Sequence, residues 1–281
     1  MRFLTLSEAI AGHVADGACV ALEGFTHLIP FAAGHEIIRQ RRRNLHLVRM
    51  TPDLVYDQLI GMGCASRLTF SWGGNPGVGS LHRLRDAVEN AWPGPLELDE
   101  HTHAGMAAAY CAGAARLPLG VLRGYIGTDL VAANPRIRSV ECPFTGERLA
   151  AVPAINPDVT VLHAQRADRK GNVGLVGIVG AQREAALAAR ALIVTVEEIV
   201  DELPPAMNSI VLPHWIVSAV VLCPGGAYPA YAQGYYGRDN AFYQRWDRIA
   251  RARDSFSDWM DKHVLGTGDH RGFLATLRGA A

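Results

Sequence analysis

No stretch of the 281-residue sequence approaches the roughly 20 consecutive apolar residues that a helix needs to cross a bilayer, so a membrane-spanning role is not expected. Charge of neither sign is in excess: 27 Lys plus Arg stand against 27 Asp plus Glu. Nothing therefore favours a polyanionic partner such as nucleic acid, or an anionic membrane surface. A basic cluster, Arg39, Arg41, Arg42 and Arg43, closes a helical pattern, where cations face water near the negative helix end. The cysteines Cys19, Cys64, Cys111, Cys142 and Cys223 are scattered and make no C-x-x-C pair, which argues against a zinc site or a disulfide framework and for a reducing compartment. The opening MRFLTLSEAIAGHVADG has a helical apolar period but carries Glu8 and Asp16 and lacks a cleavage site, so it does not read as a signal peptide. The expected location is the cytoplasm. Internal repeats and low-complexity tracts are also missing.

What is present is 49% hydrophobic and 19% charged residues, enough for a soluble chain with a large core. Short β-prone runs alternate with amphipathic stretches: residues 19–22 then 32–40, 45–48 then 54–62, and 68–71 then 81–89. The pattern resumes at 104–115, 159–163, 182–189, 192–196 and about 217–222. That alternation predicts an α/β fold, an open and mostly parallel sheet with helices on both faces, in one domain over 1–281. Residues 134–147, which contain CPFTGE, read as an excursion from the sheet. From Pro224 the chain turns aromatic and glycine-rich (PGGAYPAYAQGYYGRDNAFYQRW), followed by a polar helix over about 240–262. Segment 225–281 is expected to pack on the surface or on a partner.

Four segments fall where predicted strands run out, the place where open parallel sheets bind ligands. In Glu23-Gly24-Phe25-Thr26-His27 the glycine permits close backbone approach, its neighbours can offer amides to an oxyanion, and Glu23 with His27 could move a proton. In 71–80, Gly74, Asn75, Gly77 and Val78 belong to a glycine-rich loop before a helix. It is not a phosphate loop, since Gly-Lys-Ser/Thr is absent, but it suits a phosphate or a small carboxylate. In Asp99-Glu100-His101-Thr102-His103 the acids serve either acid/base chemistry, with Glu100 the candidate, or helix capping. His101 and His103 share a face only in an extended segment, and no H-E-x-x-H completes a metal site, so no metal is expected. Residues 163–172 end a strand in a tight Asp-x-x-Gly-Asn turn. No G-x-S-x-G elbow or comparable cysteine context supports a nucleophile of this chain's own.

In order along the chain, LTLSEAIAGHVADG, VALEGFT, AVPAINPDVTVLHAQRADRKGNV, IVTVEEIV, VLCPGGAYPAYAQGYYGRDNAFY and the final helix resemble the class I coenzyme A transferases, most closely the α subunit of glutaconate CoA-transferase. The resemblance implies an open α/β fold and a heterodimer or heterotetramer with a β subunit, no bound cofactor, and an acyl-CoA thioester as substrate. It implies a nucleophilic glutamate on the β subunit, in a Glu-Asn-Gly context that this chain lacks: here Glu89-Asn90 runs into Ala91. That glutamate would form an acyl anhydride and then hold CoA as a thioester, splitting one exchange into two. The α subunit would wall the site, with amides from the Gly24 and Gly77 loops and the side chains of Phe25, Thr26, His27, Asn75, Val78, His101 and His103 around the acid. The family's glycine pair before phenylalanine is Glu23-Gly24 here. The extra carboxylate opens an alternative, a transferase-like hydrolase, decarboxylase or ring-opening lyase with Glu23 or Glu100 as acid/base. A non-catalytic ligand sensor is a third reading, but no basic recognition helix is appended.

Overall fold

The computed structural model describes residues 2–278. Strands and helices alternate through the first part of the chain: β1 (Arg2–Phe3), α1 (Leu6–His13), β2 (Cys19–Leu22), α2 (Phe31–Arg39), β3 (Leu45–Val48), α3 (Leu54–Gly61), β4 (Ala65–Phe70), α4 (His82–Asn90), β5 (Glu97–Glu100) and α5 (His103–Ala114). Next come β6 (Leu119–Leu122), α6 (Leu130–Ala133), β7 (Arg138–Glu141) and β8 (Arg148–Pro153). The chain then returns through β9 (Val159–Asp168), β10 (Val173–Val176), α7 (Gln182–Ala188), β11 (Ala191–Val200), β12 (Ser209–Leu212) and β13 (Ala219–Leu222). It closes with α8 (Asn240–Arg251), α9 (Arg253–Met260) and α10 (His270–Arg278).

The main sheet runs β1-β13-β11-β9-β2-β3-β4-β5, and every neighbouring pair on this path is parallel. The open, mostly parallel α/β sheet of the sequence reading is what the chain forms. Its central strands β2 and β13 and the first part of β11 read as apolar runs because both faces are covered. Leu22, Leu45 and Leu47 pack with α2 and α3 on one side, while Ala21 and Val48 meet Met106 and Tyr110 of α5 and Ala185 of α7 on the other. Chain order moves outward from β2 to β5 and then resumes at β9, on β2's other side. The β2/β9 junction is thus the topological switch point, where loops diverge and a ligand can enter.

Two expectations are corrected. The excursion is longer than 134–147: β6, β8 and β7 form a separate antiparallel sheet over 119–153, with its own small core of Ala109, Tyr125, Ile137, Ala150 and Val152. The aromatic C-terminal segment does not keep its large side chains for a partner either, since Phe242, Tyr243 and Trp246 are buried in the main core with Phe256 and Phe273. The reason is a stripe at helical spacing. Asp239 caps α8 by accepting the Phe242 amide at 2.9 Å, and Trp246 then donates to Asp57 of α3 at 3.0 Å. The polar helix expected over 240–262 breaks at Ala252, whose ψ of 146° is extended.

Candidate active site at the carboxyl edge of the sheet

Strands β2, β3, β4 and β5 lie side by side, so the residues just past their ends, Glu23, Met50, Ser71 and 101–103, stand in a row. Glu23 is only 2% exposed. Its Oε1 accepts the Met50 amide at 3.1 Å and the Tyr110 hydroxyl at 2.8 Å. Burial raises the Glu23 carboxyl above its ordinary range, against the opposing pull of Arg49 and these donors. The carbonyl of the same Met50 accepts the Ser71 hydroxyl at 2.7 Å, which leaves Ser71 Oγ to accept His103 Nδ1–H at 3.2 Å.

The loop after β2 is a compact clamp. A Cβ on Gly24 would sit 2.8 Å from the Leu28 carbonyl oxygen and 2.9 Å from that of His27, so only glycine lets the loop close. Thr26 and Leu28 take φ of 57° and 53°, a left-handed conformation that is strained for such residues and held by its surroundings. Phe25 and Thr26 form the exposed tip. His27 is buried and does not meet Glu23. Its Nδ1–H donates to the Ile178 carbonyl at 3.2 Å and its Nε2 accepts the Gln233 amide at 3.0 Å. Burial lowers its pKa, so the imidazole is a neutral tie between loops, and the expected Glu23–His27 proton pair is not formed.

In the glycine-rich loop the amides mostly turn inward. Asn75 and Gly79 exchange backbone hydrogen bonds at 2.8 and 3.0 Å, Val78 donates to Asn75 at 3.0 Å, and Gly74 donates to Pro52 at 3.2 Å. Asn75 is buried and its amide donates to the Tyr243 carbonyl at 2.8 Å. Gly77, at φ 78°, and Val78 are exposed, as is Trp72 at the start of the loop.

Glu100 ends β5 with its carboxylate in solvent, and its carbonyl accepts Asn134 Nδ2 at 2.7 Å. Capping of α5 falls to neither acid but to Thr102, which accepts the Gly105 amide at 3.0 Å. His101 is buried: Nε2–H donates to Asp99 at 3.1 Å and Nδ1 faces the Tyr125 hydroxyl at 3.1 Å. Burial works against ionisation of Asp99, but hydrogen bonds and charge from His101, with Asn134 and Thr69, hold its carboxyl well below the usual range. His101 and His103 thus part: one locks the strand end, the other reaches Ser71.

Sequence reasoning missed Ser71, Tyr110 and a buried pair, His163 on β9 and Glu197 on β11, 2.6 Å apart. Glu197 also takes the Gly225 amide at 2.8 Å and the Tyr236 hydroxyl at 2.7 Å, tying the C-terminal segment to the sheet. The available signal was an acid inside the apolar run IVTVEEIV, which a buried strand keeps only with a partner. The 163–172 turn is the β9–β10 hairpin, with the Asn172 amide donating to Asp168 at 2.9 Å.

A family model described as Coenzyme A transferase matches residues 3–222. The chain belongs to the coenzyme A transferase family. It is 66% identical over 276 residues to the A-type subunit of 3-oxoadipate CoA-transferase from Pseudomonas knackmussii, covering 98% of each chain. It is 31% identical to the A-type subunit of glutaconate CoA-transferase from Acidaminococcus fermentans, covering 98% of this chain and 92% of that one. The crystal structure of that organism's glutaconate coenzyme A-transferase superposes with a TM-score of 0.89 at 28% identity, covering 99% of this chain and 93% of the other. A variant of the decarboxylase AibA/AibB superposes with a TM-score of 0.81 at 32% identity, covering 92% and 98%.

Proposed function

We propose that the chain is the α-type subunit of a two-subunit transferase that exchanges CoA between an acyl-CoA thioester and 3-oxoadipate or a closely similar short dicarboxylic acid. The observation that carries this reading is the 66% identity, end to end, with one subunit of a 3-oxoadipate CoA-transferase. The nucleophilic glutamate comes from the β subunit, and the two-step exchange needs no further cofactor. This chain's part is to wall the site and orient the acid, with Ser71, His103 and the Gly24 loop at the carboxyl edge. Phe25, Trp72, Val78 and Ile178 are exposed apolar side chains around that same edge, and they are the surface on which the β subunit docks. The scattered free cysteines suit a cytoplasmic enzyme.

A second reading gives Glu100 an acid/base role in cleaving or decarboxylating an acyl-CoA, and what favours it is that its carboxylate is exposed at the end of β5. The two readings are separated by co-expressing the chain with its β partner and following CoA transfer to 3-oxoadipate, with glutaconate as comparator. The proposal expects transfer, preferring 3-oxoadipate. Thioester cleavage or CO2 release without an acceptor acid would support the second reading.

A further inference from the structure

Arg49, the residue after β3, is only 1% exposed. Its Nη1 donates to Asp53 Oδ1 at 2.9 Å and its Nη2 to the Gly24 carbonyl at 2.8 Å. The guanidinium also lies over the Tyr56 ring, 5.5 Å from its centroid. One buried cation thus ties the loop after β3 to the clamp loop after β2.

The ion pair with Asp53 does not by itself explain an arginine here. Apolar residues of similar volume are often as stable as a buried pair or more so, and Arg49 Nε has no hydrogen-bond partner among the described residues. The Gly24 carbonyl is a neutral acceptor that an ordinary amide or hydroxyl could satisfy. What a buried cation adds is charge. A charge-assisted hydrogen bond is roughly twice as strong as a neutral one, and at low dielectric it polarises the group that accepts it. The Gly24–Phe25 peptide is trans, so its N–H points away from its carbonyl. With the carbonyl turned inward to Arg49, the Phe25 N–H faces the opposite side, at the exposed tip of the loop, and has no hydrogen-bond partner among the described residues. Arg49 therefore strengthens a donor at the carboxyl edge.

Resting on the transferase reading, we propose that Arg49 is a positioning residue for CoA transfer: it fixes and polarises the Gly24–Phe25 peptide so that the Phe25 amide stabilises the oxyanion of the acyl intermediate. As the β-subunit carboxylate bonds to the thioester carbonyl carbon, the carbonyl π pair moves to oxygen, where the amide N–H meets it. The pair returns as the C–S bond breaks and CoA leaves as the thiolate. This charge exists in the intermediate and not in the bound thioester, so the effect falls on kcat more than on KM.

The test separates turnover from stability in the assembled α/β enzyme. Asp53→Asn breaks the ion pair but leaves Arg49 on Gly24, so Tm should fall while kcat, measured below that Tm, stays within about twofold of wild type. Arg49→Met combined with Asp53→Leu removes the charge and keeps the volume. There Tm should change little, whereas kcat should fall about 10- to 100-fold with KM within about threefold, because the donor is weakened rather than removed. Turnover that follows Tm in both variants, a wild-type kcat in the double variant, or a change in KM alone would each overturn the inference. So would a double variant that fails to assemble, since the pair would then serve the fold. A wild-type complex unable to transfer CoA would instead remove the reading it rests on.

Discussion

The Tyr110 hydroxyl donates to Glu23 Oε1 at 2.8 Å, joining the middle of α5 to the end of β2. The same oxygen takes the Met50 amide, so Glu23 ties α5 to the ends of β2 and β3. Tyr110→Phe leaves a buried carboxyl short of a donor, and the expected cost is about 1–3 kcal/mol of stability. Glu23→Gln retains an acceptor for both donors and should cost less. Thermal melts of the two variants in the α/β complex check the order.

A glycine comparison tests which loop is built by steric closeness. Gly24→Ala drives a Cβ into two carbonyl oxygens and should abolish measurable transfer while lowering Tm. Gly77→Ala meets nothing within 4 Å, so only the left-handed φ of 78° opposes it. About 1 kcal/mol of stability should be lost there. Similar losses for both would show that the Gly24 loop has more freedom than its geometry implies.

The C-terminal helices are part of the core, and Trp246→Ala should cost about 3–5 kcal/mol. Trp246→Phe keeps most of the packing but takes the indole N–H from Asp57 Oδ2, while Oδ1 keeps the Arg83 and Leu84 amides; about 1–3 kcal/mol is expected. Urea unfolding of the complex measures both.

The pH dependence has a definite sign. His270 is buried, its Nε2–H donates to the Gly225 carbonyl at 2.8 Å, and burial lowers its pKa to about 4 from the ordinary 6.5. Below pH 6.5 the unfolded chain binds this proton and the folded chain does not, so stability present above 6.5 is lost as pH falls through about 4. Tm should fall over this window, and His270→Gln should flatten the fall. An unchanged slope would assign the loss to other groups.

The parallel sheet and the edge segments after β2 and β4 were legible because buried strands read as apolar runs, whereas β5, Glu97–Glu100, is charged and gave no such run. The register of Glu197 against His163 was not, since two residues 34 apart in sequence give no local sign that their strands pair. The role of Asp99 and the capping by Thr102 were hidden for another reason: adjacent polar residues diverge in direction at a strand-to-helix turn, and spacing alone cannot say which goes inward. The aromatic tail misled because composition reports surface-seeking glycine and tyrosine, while the i, i+1, i+4 stripe of Phe242, Tyr243 and Trp246 decides burial.

Trapping the enzyme tests the central claim most directly. The co-expressed complex is exposed to acyl-CoA, treated with borohydride or hydroxylamine, and mapped by peptide mass for the modified carboxylate. The predicted result is an adduct on a β-subunit glutamate, with Glu23→Gln and Glu100→Gln in this chain leaving turnover nearly normal. No adduct on the β chain, together with a loss of about 10²- to 10⁴-fold in either variant at unchanged Tm, would contradict it and assign acid/base chemistry to this chain.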